Sequence, residues 1–118
     1  MATITSAASG NFSATTTWVG GVVPVDNDLF VIATGHTVTY DVVTPVTNGF
    51  GDSNIYGILQ SQAGVSTTLR MYGRLNVRTN GTYHARAGHK LQFKGTAAES
   101  HILYLYEESG ASLIMEGS

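Results

Sequence analysis

The chain has 118 residues, a formal net charge of -2, and 12% charged against 42% hydrophobic residues, which fits one folded domain and excludes disorder driven by charge repulsion. It has no cysteine, so disulfides, thiol nucleophiles and thiolate metal sites are excluded, and no apolar run approaches the ~18 residues of a membrane-crossing helix. Thr (15), Gly (14), Val (11) and Ser (10) dominate, the composition of a β-protein poor in catalytic groups.

Residues 1–10 carry neither a basic stretch nor an apolar core; they do not read as a secretory signal, and synthesis in a cytosol is expected. Without secretion, the sequons Asn11-Phe12-Ser13 and Asn80-Gly81-Thr82 read as chance matches. Asp26-Asn27-Asp28 offers oxygen ligands for Ca²⁺, but nothing downstream completes an EF-hand loop. It reads instead as a turn entering a strand at 29–33. Residues 37–40 alternate Thr and Val before a Tyr, a second strand after the turn Thr34-Gly35-His36. Gly51-Asp52-Ser53-Asn54 is similar to the start of a Gly-Asp-Ser-Leu hydrolase motif, yet no Asp-x-x-His follows near the C-terminus, so a polar loop is expected. A strand follows at 55–60.

The clearest pattern lies at 69–78. Leu69, Met71, Leu75 and Val77 share one parity with Gly73, while Arg70, Tyr72, Arg74, Asn76 and Arg78 take the other. A period of two predicts one strand, bent at Gly73, with its apolar side inward and its arginines outward. Strands are also predicted at 91–93, 102–106 and 113–115. The best helical candidate, 97–106, is rich in β-formers in its second half. A Gly precedes a strand at Gly57, Gly73, Gly88 and Gly110, but at uneven intervals, so no strict repeat code emerges.

Charge is strongly segregated. Positions 1–69 hold four acids (Asp26, Asp28, Asp41, Asp52) and no Lys or Arg. All six bases, Arg70, Arg74, Arg78, Arg86, Lys90 and Lys94, form one block behind them, and Glu99, Glu107, Glu108 and Glu116 close the chain. The basic belt with Tyr72 is the candidate contact surface, because single-sign patches with aromatics suit interfaces. His36, His84, His89 and His101 show no paired metal spacing, and His36 is expected to hydrogen-bond its loop backbone. Glu107 and Glu108 are adjacent, a poor pair for glycosidase chemistry. No catalytic residue, metal site or cofactor is expected. The apolar Leu113, Ile114 and Met115, close to the last residue, predict an open edge that a neighbouring subunit, another protein or a further domain covers.

The first forty residues carry a further pattern: Ser9-Gly10-Asn11-Phe12-Ser13, then Thr17-Trp18-Val19-Gly20-Gly21-Val22-Val23-Pro24, Asp26, and the run from Val31 through Gly35-His36-Thr37-Val38-Thr39 to Asp41. This resembles the opening of surface-exposed parallel β-helix proteins, among them the eight-glycine-domain family and many phage tail and virion proteins. Tyr56-Gly57-Ile58-Leu59 and Tyr72-Gly73-Arg74-Leu75 extend the resemblance to about residue 85. It implies an all-β chain forming a short right-handed parallel β-helix, with 1–28 as a capping segment and 29–118 as the β-helix-like part of one domain. A small β-sandwich is the alternative. Trp18, Phe12, Val19, Val22 and Val23 would plug the first turn, since a solenoid leaves its apolar end bare.

The function it implies is a non-enzymatic structural or adhesion component of a phage virion, made in the host cytosol: a tail fibre or spike, or a capsid-decorating protein. Its partners would be other virion proteins and copies of itself, with a trimer favoured. A bacterial surface or extracellular location is the alternative setting. The competing function is a carbohydrate-binding or carbohydrate-processing β-helix domain, so a surface glycan stays open as a ligand, whereas nucleic acid and membrane are not expected.

Overall fold

Short runs of Thr, Val, Ile and aromatic residues, separated by corners that mostly contain Gly, Asn or Asp, pair in parallel with the run one turn later rather than with their chain neighbours. The computed structural model describes residues 2–44, 46–86 and 88–93, and the backbone of strands at 105–107 and 112–115. The chain is an all-β solenoid of about four turns. Its first wall is β1 (Thr3–Thr5), β3 (Leu29–Ile32), β5 (Ser53–Ile55), β8 (Leu75–Val77) and β11 (Leu105–Glu107). The second is β2 (Gly10–Asn11), β4 (Thr37–Tyr40), β6 (Ile58–Ser61), β9 (Thr82–Ala85) and β12 (Ser112–Met115). The third is β7 (Thr68–Met71) with β10 (Lys90–Phe93), extended by a bridge from Phe50 to Met71. Every ladder is parallel, which removes the sandwich alternative, and the antiparallel contact among the described residues is a single bridge between Ser6 and Trp18.

The turns are unequal in length. Along the second wall Gly10 pairs with Val38, Val38 with Leu59, Leu59 with Tyr83 and Tyr83 with Leu113, so that no two successive turns have the same length. That variation hides the period from the sequence. The glycine signal survives because corners stack closely: a Cβ on Gly57 would strike the carbonyls of Ala33 and His36, and one on Gly73 the backbone nitrogen and carboxylate of Asp52.

Alternation along each strand sends one set of side chains inward. Leu69, Met71, Leu75 and Val77 are fully buried, as are Phe30, Ile32, Val38, Ile55 and Leu59. Large and small residues share stacks: Tyr40 is in register with Ser61, and Phe30 lies beside Ser53. Ser53 is enclosed because its Oγ accepts the Phe30 N–H (3.1 Å) and donates to the Gly51 carbonyl (2.9 Å). The expected polar loop at 51–54 is therefore half strand, its serine pointing into the core.

Two further expectations need correction. The 69–78 run is two strands on different walls, joined by a corner at 72–74. That corner has three residues and preserves parity, so a period of two cannot reveal it. The run 55–60 likewise breaks at Tyr56-Gly57, and β9 carries no strand signal of its own, since Thr82-Tyr83-His84-Ala85 offers one large inward residue. The helical candidate 97–106 and the strand at 102–106 lie outside the described residues apart from Leu105 and Tyr106, which belong to β11.

Within the segment 1–28, β1 and β2 already form wall strands, and the chain after them folds over the end. Phe12 is central there: its ring meets Trp18, Phe30, Tyr40 and Phe50 edge-on at 5.1, 5.5, 4.9 and 5.5 Å. Trp18 Nε1 donates to the Phe12 carbonyl at 2.8 Å, giving a buried indole the partner it needs. Val23 packs on this cluster, but Val19 (59% exposed) and Val22 (53%) face outward, so they are not part of the plug. Gly20 and Gly21, at φ 83° and 68°, make the turn that swings them out.

Candidate functional site

The third wall gathers most of the basic residues. Arg70 and Lys90 lie on its two strands, where Thr68 pairs with Lys90 and Arg70 with Gln92. Arg86 stands at the corner before β10, and Tyr72 and Arg74 form the corner after β7. Arg78 does not join them; it lies at the corner between the first and second walls. Leu113, Ile114 and Met115 belong to β12 on the second wall, and Lys94 lies outside the described residues.

Three of these arginines bridge to an adjacent turn. Arg70 donates from Nε to Gln92 Oε1 (3.0 Å) and from Nη1 to the carbonyls of Val46 (3.2 Å) and Thr47 (3.1 Å). Arg78 stacks over the Tyr56 ring at 5.7 Å with Nη1 3.5 Å from Asn54 Oδ1, and Arg86 Nη2 lies 3.4 Å from Gln60 Oε1. Their planar guanidinium groups act as clamps between turns. The exposed members of the belt are Tyr72, Arg74 and Lys90.

The acids of the first half have a matching role. Asp26 accepts the N–H groups of Asn48 (2.8 Å) and Gly49 (2.9 Å), and Asp28 those of Ala2 and Val25 (both 3.0 Å). Asp41 accepts the Ser13 N–H (3.1 Å) and hydroxyl (2.5 Å), and Asp52 the Arg74 N–H (2.7 Å). Each carboxylate thus satisfies backbone donors that a corner leaves unpaired. Among the described residues no group of three or more His, Asp or Glu is gathered as a metal site would need.

No family model, curated protein or solved structure matches this chain.

Two histidines are built into corners in the same way. In each, a Gly at positive φ (Gly35, 87°; Gly88, 90°) precedes a His whose N–H closes a turn on the residue three before it. His36 Nδ1 lies 2.7 Å from Ser6 Oγ, which also accepts the Ala33 N–H (2.8 Å). His36 therefore reaches its loop through a serine of the previous turn rather than directly as expected. His89 Nδ1 lies 2.7 Å from Thr67 Oγ1, and its Nε2 lies 2.6 Å from the Tyr83 hydroxyl. Burial pulls the pKa of the His89 imidazole down to about 4, so it is neutral at ordinary pH. Burial also raises the phenols of Tyr40, with Asp41 adding to the effect, and Tyr83, with Tyr40 adding. The sequence carried a signal for this pair of corners, the repeated Gly-His dipeptide, which spacing rules for metal ligands pass over.

Proposed function

We propose that the chain is a non-enzymatic structural or adhesion component of a phage virion, in a tail fibre or spike or decorating the capsid, and that it works through protein–protein contacts made by its third wall. The observation that carries this reading is the gathering of exposed Lys90, Arg74 and Tyr72 with Arg70 and Arg86 on one wall and its corners. The acids of the first half, by contrast, accept hydrogen bonds from backbone amides. A wall of one sign with an aromatic at its edge suits an acidic neighbour. The virion setting is supported by the resemblance of the first forty residues to phage and surface β-helix proteins. Other virion proteins and further copies of the chain, in a trimer, are the proposed partners.

Cryo-electron microscopy of the native particle tests both parts. The third wall should face a neighbouring subunit; a third wall open to solvent in the assembled particle overturns the proposal. The double variant Arg74→Glu/Lys90→Glu should melt like the parent chain and lose incorporation at least about tenfold. Unchanged incorporation removes the wall from the interface, and selective binding of surface glycans favours the carbohydrate-binding alternative.

A further inference from the structure

We propose that His89 is an acid-sensitive latch that fastens the third wall to the solenoid and loosens it when the imidazole takes up a second proton. The ring sits where three segments meet. Thr67 ends the loop before β7, Tyr83 lies in β9, and His89 itself precedes β10. Both ring nitrogens are engaged, by Thr67 at 2.7 Å and Tyr83 at 2.6 Å, and the ring packs edge-on against Tyr40 (5.8 Å) and Tyr83 (5.9 Å). The same corner holds the Thr67 carbonyl on the Lys90 N–H (2.8 Å) and the Thr68 carbonyl on the Tyr40 hydroxyl (2.6 Å).

A neutral imidazole has one N–H and one lone pair. Flanked by two hydroxyls it completes a relay in one sense: one hydroxyl donates to the ring and the ring donates to the other. A second proton makes both nitrogens donors, so the hydroxyl that was donating must turn its proton elsewhere inside the core. Among the described residues, the titratable groups against the ring are Tyr40 from β4 and Tyr83 from β9, while on its own turn Arg86 reaches Gln60 and Lys90 is exposed. None comes from the 62–67 loop, and β7 presents Leu69 and Met71. Asp41 follows Tyr40 but is held by Ser13. An imidazolium therefore meets phenols and hydrocarbon. The lowered affinity of the ring for its proton agrees with this setting. The latch stands independently of what the wall binds.

The sign follows from linkage. Opening the corner returns His89 to its ordinary value of about 6.5, so the open form binds more protons than the closed one between about pH 6.5 and 4. Closure is at full strength above that window and weakens as pH falls through it.

Hydrogen exchange read segment by segment tests the latch. After correction for intrinsic rates, opening of Thr68–Met71 and Lys90–Phe93 should rise about 10- to 100-fold from pH 7.5 to 4.5. Amides of β3 and β5 should rise less than those of the third wall. In His89→Gln, which carries no titratable group, the rise should fall below about threefold, and an unchanged rise overturns the latch. Should that variant fail to fold, titration of the imidazole by nuclear magnetic resonance in the native chain decides. A midpoint below about 5.5 supports the latch, and one at or above it overturns the proposal.

Discussion

Leu75 opens β8 fully buried, while Arg74, one residue earlier, stands exposed at the corner. Truncating Leu75 to Ala leaves a cavity between turns and should lower the unfolding free energy by ~2–5 kcal/mol in a denaturant titration. Arg74→Ala should stay within ~0.5 kcal/mol, as an exposed side chain does. This inward and outward division was legible from parity alone, because alternation does not depend on which wall a residue lies on. The aspartate contacts were not legible. Asp26, Asp41 and Asp52 meet backbone amides 22, 28 and 22 residues away, and a backbone donor leaves no trace in the sequence. The histidine corner adds an expectation for the whole fold. With His89 near 4 when folded and about 6.5 when unfolded, stability is fully present above pH 6.5 and declines as pH falls towards 4. The loss is on the order of 1–2 kcal/mol after allowing for solvent around a half-buried ring. Melting curves from pH 7.5 to 4 should follow this slope, and His89→Gln should flatten part of it.

At the scale of the element, the segment after β2 is held by aromatic packing and by paired polar contacts. The Trp18 indole reaches the Phe12 carbonyl, and Thr17 Oγ1 donates to the Asn11 carbonyl at 2.8 Å, so the outer edge of β2 is occupied. Trp18→Phe keeps most of the ring volume but orphans the Phe12 carbonyl. It should cost ~1–3 kcal/mol and expose residues 12–18 to faster proteolysis than the walls. Five edge-on ring contacts among Phe12, Trp18, Phe30, Tyr40 and Phe50 explain why this end packs tightly without a long strand. Aromatic residues at 12 and 18 pointed to a plug, and the structure uses both. Val19 and Val22 were misread because two glycines at positive φ turn the chain between them, and hydrophobicity does not record direction. Strands such as 37–40 were legible because Thr and Val alternate there. The β9 strand was not, since its core contribution is a tyrosine whose hydroxyl bonds a histidine instead of leaving the fold.

For the whole molecule, parallel pairing one turn apart means that each turn touches only its neighbours. The sequence block of bases becomes a wall only through this winding. Arg70 and Lys90, a full turn apart along the chain, come onto adjacent strands, whereas Arg78, closer to Arg70 in sequence, goes to another corner. Grouping by charge thus found the belt but not its shape, because the corners were not visible. If the wall docks on an acidic neighbour, raising salt from about 0.05 to 0.5 M should weaken the complex several-fold as the screening length shrinks. The pair Arg74→Glu/Lys90→Glu should lose most of that salt dependence. The stacking also decides how the chain answers a mechanical load. Its strands lie across the solenoid axis, so traction on the C-terminal side opens ladders bond by bond instead of shearing them together. In an optical trap the described turns should come away singly, each adding about 7 to 10 nm of contour according to its length. The aromatic plug around Phe12 should yield last.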